Sequence, residues 1–196
     1  MNMKAYKSMI AGLLLLLCAA FGCTKSEHFI TDAAYRARVQ ADFKTKREAF
    51  ADSSLFAIFQ TEMTQPEREA MEFLYAYMVI GDVADYDGAF YLRNVRAAFA
   101  ARDEMPWGRQ IPENIFRHFV LPIRVNNENL DESRTVFFDE LKDRVRGLSL
   151  REAVLEVNHW CHEKVIYTPS DARTSSPLAS VCTAYGRCGE ESTFTV

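Results

Sequence analysis

The sequence predicts an α+β chain in which helix dominates and extended structure is confined to a short stretch near the C-terminal end. Apolar residues recur at helical spacing from Phe29 to about Arg146, the periodicity of amphipathic helices. Thr64-Gln65-Pro66-Glu67 and Ser149-Leu150-Arg151-Glu152 carry the pattern in which a hydroxyl and an acid three residues later cap each other's backbone N–H groups. Val165-Ile166-Tyr167 reads as a brief extended segment. The composition is ordinary for a globular protein, 48% hydrophobic and 26% charged. The net charge is -4 and the basic residues form no stripe, which argues against a nucleic-acid partner held by phosphate neutralisation. Five unevenly placed cysteines exclude a disulfide-stapled miniprotein.

The N-terminal element is an address. Lys4 and Lys7 precede an apolar run from Met9 to Phe21, which has the layout of a secretory signal and is too short to span a bilayer. The run ends in Ala20-Phe21-Gly22-Cys23. That ending resembles the lipobox of bacterial lipoproteins, in which the cysteine is lipid-modified and becomes the new N-terminus. The resemblance implies residues 1–22 as signal peptide and Cys23 as the lipidation site. The chain is then exported and lipid-anchored to a bacterial cell-envelope membrane, at the outer membrane or the cell surface. Ordinary secretion with cleavage nearby is the competing reading. Diacyl and N-acyl chains together anchor far more firmly than a single acyl chain.

Residues 23–148 read as a helical region. Asp32 stands as an N-cap before Tyr35, Val39 and Phe43. The capped start at Thr64 opens a helix carrying Ala70, Met71, Phe73, Leu74, Tyr77 and Met78, with Gly81 as its stop. Leu92, Val95, Ala98 and Phe99 mark another helix, followed by a turn at Met105–Gly108. Pro112 and Glu113 begin a shorter one, and Val136, Phe137, Leu141 and Val145 a last one ending at Gly147. Asp82 to Gly88 resembles part of a calcium loop. Aligned on Gly88, however, Val83 and Asn94 fall where the first and last ligands belong, so a solvated turn is expected. His118 has no second histidine at metal spacing and is read as a surface or hydrogen-bonded core residue. The many Phe and Tyr residues read as core filling, and no cofactor site is read here.

The chemistry is read at the far end. The helix opened by Ser149 is expected to place Ala153, Val154, Val157, Trp160 and Cys161 on one side and to run to about Lys164. After a polar loop from Thr168 to Pro177 comes Cys188, flanked by Gly186 and Gly189, with Glu190-Glu191-Ser192-Thr193-Phe194 opening a helix. A thiol at a helix N-terminus faces unpaired N–H groups, which favour the thiolate and can bind an oxyanion. Arg187 adds a cation. This is the environment that nucleophilic cysteine catalysis requires. A Cys182–Cys188 disulfide is the structural alternative. His159, Cys161 and His162 lack a regular metal-binding pattern, so no metal is expected.

At Gly186-Arg187-Cys188-Gly189-Glu190-Glu191-Ser192-Thr193 the chain resembles the nucleophile segment of the transglutaminase-like superfamily, and the helix, extended segment and loop before it fit the same order. The resemblance covers Ser149 to Val196. It implies that residues 149–196 are the N-terminal part of a papain-like transglutaminase core whose β-sheet is largely missing. It further implies Cys188 as nucleophile in acyl transfer from an amide of a protein or peptide substrate, through a thioester resolved by water or an amine. The family pattern also demands a histidine and an aspartate after the cysteine. The chain stops at Val196 and its four histidines, His28, His118, His159 and His162, all precede Cys188. It is therefore expected to be inactive as it stands, with the apolar face of its last helix exposed. The alternative is a non-catalytic helical surface lipoprotein that binds a peptide or glycan.

Overall fold

The computed structural model describes residues 28–51, 53–169 and 173–195. The predicted signal peptide and Cys23 lie outside these residues. The protein is mainly helical. Helix α1 (Ala33–Ala49) is followed by a 3-10 segment (Ser54–Gln60), then α2 (Gln65–Tyr77), α3 (Ile80–Asp85), α4 (Gly88–Glu104) and the short α5 (Glu113–Ile115). A π-helical turn (Phe116–Val120) continues α5. Then come α6 (Ser133–Val145), α7 (Leu150–Lys164), β1 (Ile166–Tyr167), α8 (Pro177–Thr183), β2 (Tyr185–Gly186) and α9 (Cys188–Thr195). Among the described residues no helix is long and apolar enough to cross a membrane.

The caps read from the sequence form. Asp32 accepts the N–H groups of Ala34 and Tyr35 at 2.9 and 3.0 Å. Thr64 with Glu67, and Ser149 with Glu152, close reciprocal capping boxes. Gly81 is not the stop of α2. That helix ends at Tyr77, with Met78 extended, and Gly81 lies inside α3. The reason is Asp82. Instead of sitting in a solvated turn it is buried, and its carboxylate receives the Arg124 guanidinium at 2.6–3.0 Å. Asp87 in the same stretch caps α4, accepting the Phe90 N–H at 2.6 Å.

The main core joins α1 to α4, the 3-10 segment and the π turn. It is aromatic: Phe43 meets Phe59 at a tilt with a centroid distance of 4.5 Å, Phe59 meets Tyr75 edge-on at 5.0 Å, and Phe29 meets Phe99 edge-on at 5.2 Å. Such tilted and edge-on pairs add to the stabilisation from burial alone. Within it Glu69, fully buried on α2, accepts the N–H of Ile30 at 2.9 Å and the Gln65 amide at 3.0 Å, and also contacts His28. These partners make the burial of a carboxylate tolerable.

A second, smaller core holds the C-terminal part together. Trp160, Cys161, Val165 and Phe194 pack with Phe137, Leu141, Val157 and Val181. Helix α6 thus supports α7 and α9. Two polar ties join this part to the helical region. Asp131 accepts the N–H of Ser133, at the start of α6, and of Leu178, in the first turn of α8, both at 2.9 Å. Arg134 donates to the carbonyls of Val120, Leu121 and Pro122 at 2.8–3.3 Å. Burial pushes this guanidinium down to about 10, so it stays charged at neutral pH, facing the negative end of the π turn.

The face read for α7 needs one correction. Ala153, Trp160 and Cys161 are buried and Val157 half-buried, but Val154 is 60% exposed. Positions 153, 157, 160 and 161 share one helical stripe, and Val154, seven residues before Cys161, lies at its edge and is left uncovered. Likewise the last helix does not present its apolar side to solvent: Phe194 is buried against Trp160 and Phe137.

Candidate functional site

The cysteine read as nucleophile sits where a very small sheet turns into α9. Strands β1 and β2 run parallel, with Ile166 opposite Tyr185 and Tyr167 opposite Gly186. The Ile166 N–H donates to the Ala184 carbonyl at 2.9 Å and the Thr168 N–H to the Gly186 carbonyl at 2.7 Å. A parallel pair needs a crossover, and α8 provides it. Sequence periodicity did not reveal α8. The signal was present in Ser176-Pro177, an N-cap followed by an N1 proline: the Ser176 hydroxyl accepts the Ala179 N–H at 3.4 Å.

Helix α8 ends at Thr183 and is capped by Ala184, whose φ of 60° and ψ of 15° place a non-glycine residue in the left-handed region. That conformation disfavours a side chain by about 1–2 kcal/mol. It is fixed because the Ala184 carbonyl must reach Ile166. Ala184→Gly is therefore expected to raise stability by about 0.5–1 kcal/mol, read as an increase in the urea midpoint at unchanged slope. A decrease would show that the β1–β2 pairing does not impose this backbone.

The two glycines beside Cys188 permit close approach. A Cβ at Gly186 would lie 2.9 Å from the Glu190 Cβ and 3.0 Å from a Val165 methyl. One at Gly189 would lie 2.8 Å from the Thr174 hydroxyl. The segment Gly186 to Gly189 is thus pressed between Val165, Thr174 and Glu190, with Cys188 alone turned outward: its side chain is exposed.

Glu190 locks this arrangement. It is buried, and its carboxylate accepts the Ser175 N–H at 2.8 Å and the Arg187 N–H at 3.2 Å, with the Arg187 Nε 3.4 Å away. In the sequence Glu190 reads only as an acid suited to a helix N-terminus. Its role in joining the loop at Ser175 to the turn at Arg187 depends on residues that meet only in the fold. Burial pushes its carboxyl up, but the N–H groups of Ser175, Glu190 itself and Arg187, with the Arg187 charge, outweigh this and hold it below the ordinary carboxylate value. A depressed pKa in the folded state stabilises fully above the unfolded value and is lost as pH falls through the folded one. Acidification below about pH 4 should therefore loosen α9. Glu190→Gln should be destabilised by about 1–3 kcal/mol at neutral pH and be less acid-sensitive, as followed by Trp160 fluorescence in a Trp107→Phe background. An unchanged acid profile in that variant would show that Glu190 is not the responsible group.

With the Arg187 and Glu190 N–H groups turned to this carboxylate and the Glu191 N–H donating to the Arg187 carbonyl at 2.9 Å, two donors of the first turn are left. Among the described residues no acceptor takes the N–H of Cys188 or Gly189. They stand beside the exposed sulfur, the place for donors that bind an oxyanion.

The remaining sequence candidates fall elsewhere. Cys161, Cys182 and Cys188 are all free, so the Cys182–Cys188 bridge is not formed. Cys161 is buried, and burial pushes its thiol up. His159 is exposed on α7, 3.1 Å from Glu163. His162 is also exposed, and His118 lies in the helical region. Among the described residues no imidazole contacts Cys188, and no group of His, Cys, Asp and Glu is placed to hold a metal ion. Comparison of the chain with protein-family models, curated proteins and solved structures gives no match in any of the three.

Proposed function

We propose that Cys188 is the nucleophile of an acyl-transfer site and that residues 149–196 form the opening part of a transglutaminase-like, papain-like core. The observation that carries this reading is the exposed thiol at the first residue of α9, beside the two open N–H groups of Cys188 and Gly189. In the proposed step the deprotonated sulfur attacks an amide carbonyl, and the carbonyl oxygen takes the negative charge against those donors. The C–N bond then breaks, the amine leaves with a proton taken from water, and a thioester remains for water or a second amine to resolve. Helix α7 and then the extended segment β1, ahead of the cysteine-bearing helix, follow the order that the resemblance implies and support the family reading. Export, with a lipid tether at Cys23, belongs to the same proposal and places the substrate among envelope proteins or peptides.

A second reading is favoured by a specific observation. Acyl transfer needs a proton donor for the leaving amine, and among the described residues no imidazole touches the sulfur. On that ground the alternative is a non-catalytic surface protein that binds a peptide or glycan. Thiol reactivity separates the two. With iodoacetamide near neutral pH, followed by mass spectrometry of the digested protein, Cys188 should be modified at least about tenfold faster than Cys182. Cys182 is an exposed thiol in the same chain and serves as internal reference, and Cys188→Ala should remove the fast phase. Equal rates at the two residues would overturn the nucleophile reading.

A further inference from the structure

We propose that a cavity in the helical region, between the end of α2, the start of α3 and the segment 118–130, binds a small, uncharged, mostly apolar molecule carrying one hydrogen-bond acceptor. This site is separate from Cys188. The cavity has a volume of about 340 Å³, room for on the order of ten non-hydrogen atoms at about 30 Å³ each. Its walls include Leu74, Met78, Ile123 and Leu130, and its polar lining comes from Asp82, Arg124 and His118. An apolar cleft with a few convergent polar groups is the usual form of a small-molecule site.

Two observations support a ligand here. Tyr77 and Val79, which also line the cavity, are 47% and 60% exposed, so the apolar surface continues outward to solvent. His118 lies on a π-helical turn, marked by the Leu121 N–H donating to the Phe116 carbonyl at 2.9 Å. Such turns are rare and recur at functional sites.

The polar groups then define the ligand. The Arg124 guanidinium has five N–H groups; Asp82 takes two of them and the Glu128 carbonyl one. Two remain without an acceptor among the described residues. The His118 Nε2 stands 3.0 Å from an Arg117 nitrogen. Arg117 can only donate, so Nε2 accepts and Nδ1 carries the ring proton. The Asp82 carboxylate is engaged by Arg124, and the N–H groups left over on Arg124 and His118 call for an acceptor on the ligand. Asp82 already neutralises Arg124, so a carboxylate finds no net positive charge and an ammonium finds no free anion.

The test titrates the full chain with 2-nonanone, nonanoate and nonylammonium, three nine-carbon compounds differing at the head group, with calorimetry and thermal shift as readouts. The ketone should bind and raise the Tm, with the acid and the amine at least about tenfold weaker. Leu74→Trp should fill the cavity and abolish the shift. Because Leu74 is buried, a second variant is needed: Val79→Asp at the exposed rim should fold as wild type and bind the ketone at least about tenfold more weakly. No ketone binding, equal binding of the three head groups, or undiminished binding in Val79→Asp would each overturn the proposal.

Discussion

Trp160→Ala is expected to destabilise the C-terminal part of the protein by about 3–5 kcal/mol, the range for deleting a buried aromatic side chain. Trp160 is 1% exposed. Its ring centroid lies 4.9 Å from that of Phe194 on α9 and 5.1 Å from that of Phe137 on α6. Its indole N–H donates to Glu140 at 2.9 Å. The small core around it has only a handful of members, so the hole cannot be filled by repacking at low cost. Hydrogen exchange should then report opening of α7 and α9 while α1, α2 and α4, packed in the separate aromatic core, keep their protection. Trp160→Phe retains most of the apolar contact and should lose less. Protection lost equally in α1 to α4 would show that the two cores are one cooperative unit.

Arg124→Ala should cost the helical region about 2–3 kcal/mol, because it leaves the buried Asp82 carboxylate without the half-buried guanidinium that pairs with it. Asp82 is 5% exposed and Arg124 is its ion-pair partner. The same guanidinium donates to the Glu128 carbonyl, so the segment after the π turn loses its anchor as well. The double variant Asp82→Asn/Arg124→Met removes both charges and should recover part of that loss. Urea unfolding of the two variants against wild type measures the difference. A double variant no more stable than Arg124→Ala would mean that the anchoring of the 121–130 segment, not the stranded carboxylate, dominates.

These two residues show how differently the parts of the chain can be read. Trp160 was recognisable as core from its place on a helical stripe with Ala153, Val157 and Cys161. The pairing of Asp82 with Arg124, 42 residues apart, left no local trace, and the acid-rich stretch around Asp82 reads as a solvated turn. Val154 misled because an apolar residue beside a buried stripe looks like a member of it until the partner surface is known. At the candidate site, Cys188, its flanking glycines and the start of α9 were legible. Helix α8, the parallel pairing of β1 with β2, the left-handed Ala184 and the Glu190 lock were not.

The sequence by itself determined the capped starts of α1, α2 and α7, the mainly helical class and the position of the cysteine candidate. Caps, periodicity and turn residues act over three or four neighbouring positions, and their physics is complete within that window. Only the tertiary structure decided that Glu190 turns the Arg187 N–H inward and leaves those of Cys188 and Gly189 open, and that Asp82 is buried rather than solvated. Both outcomes depend on a charge meeting donors from distant segments, and desolvation makes that meeting consequential only once the chain has closed around it.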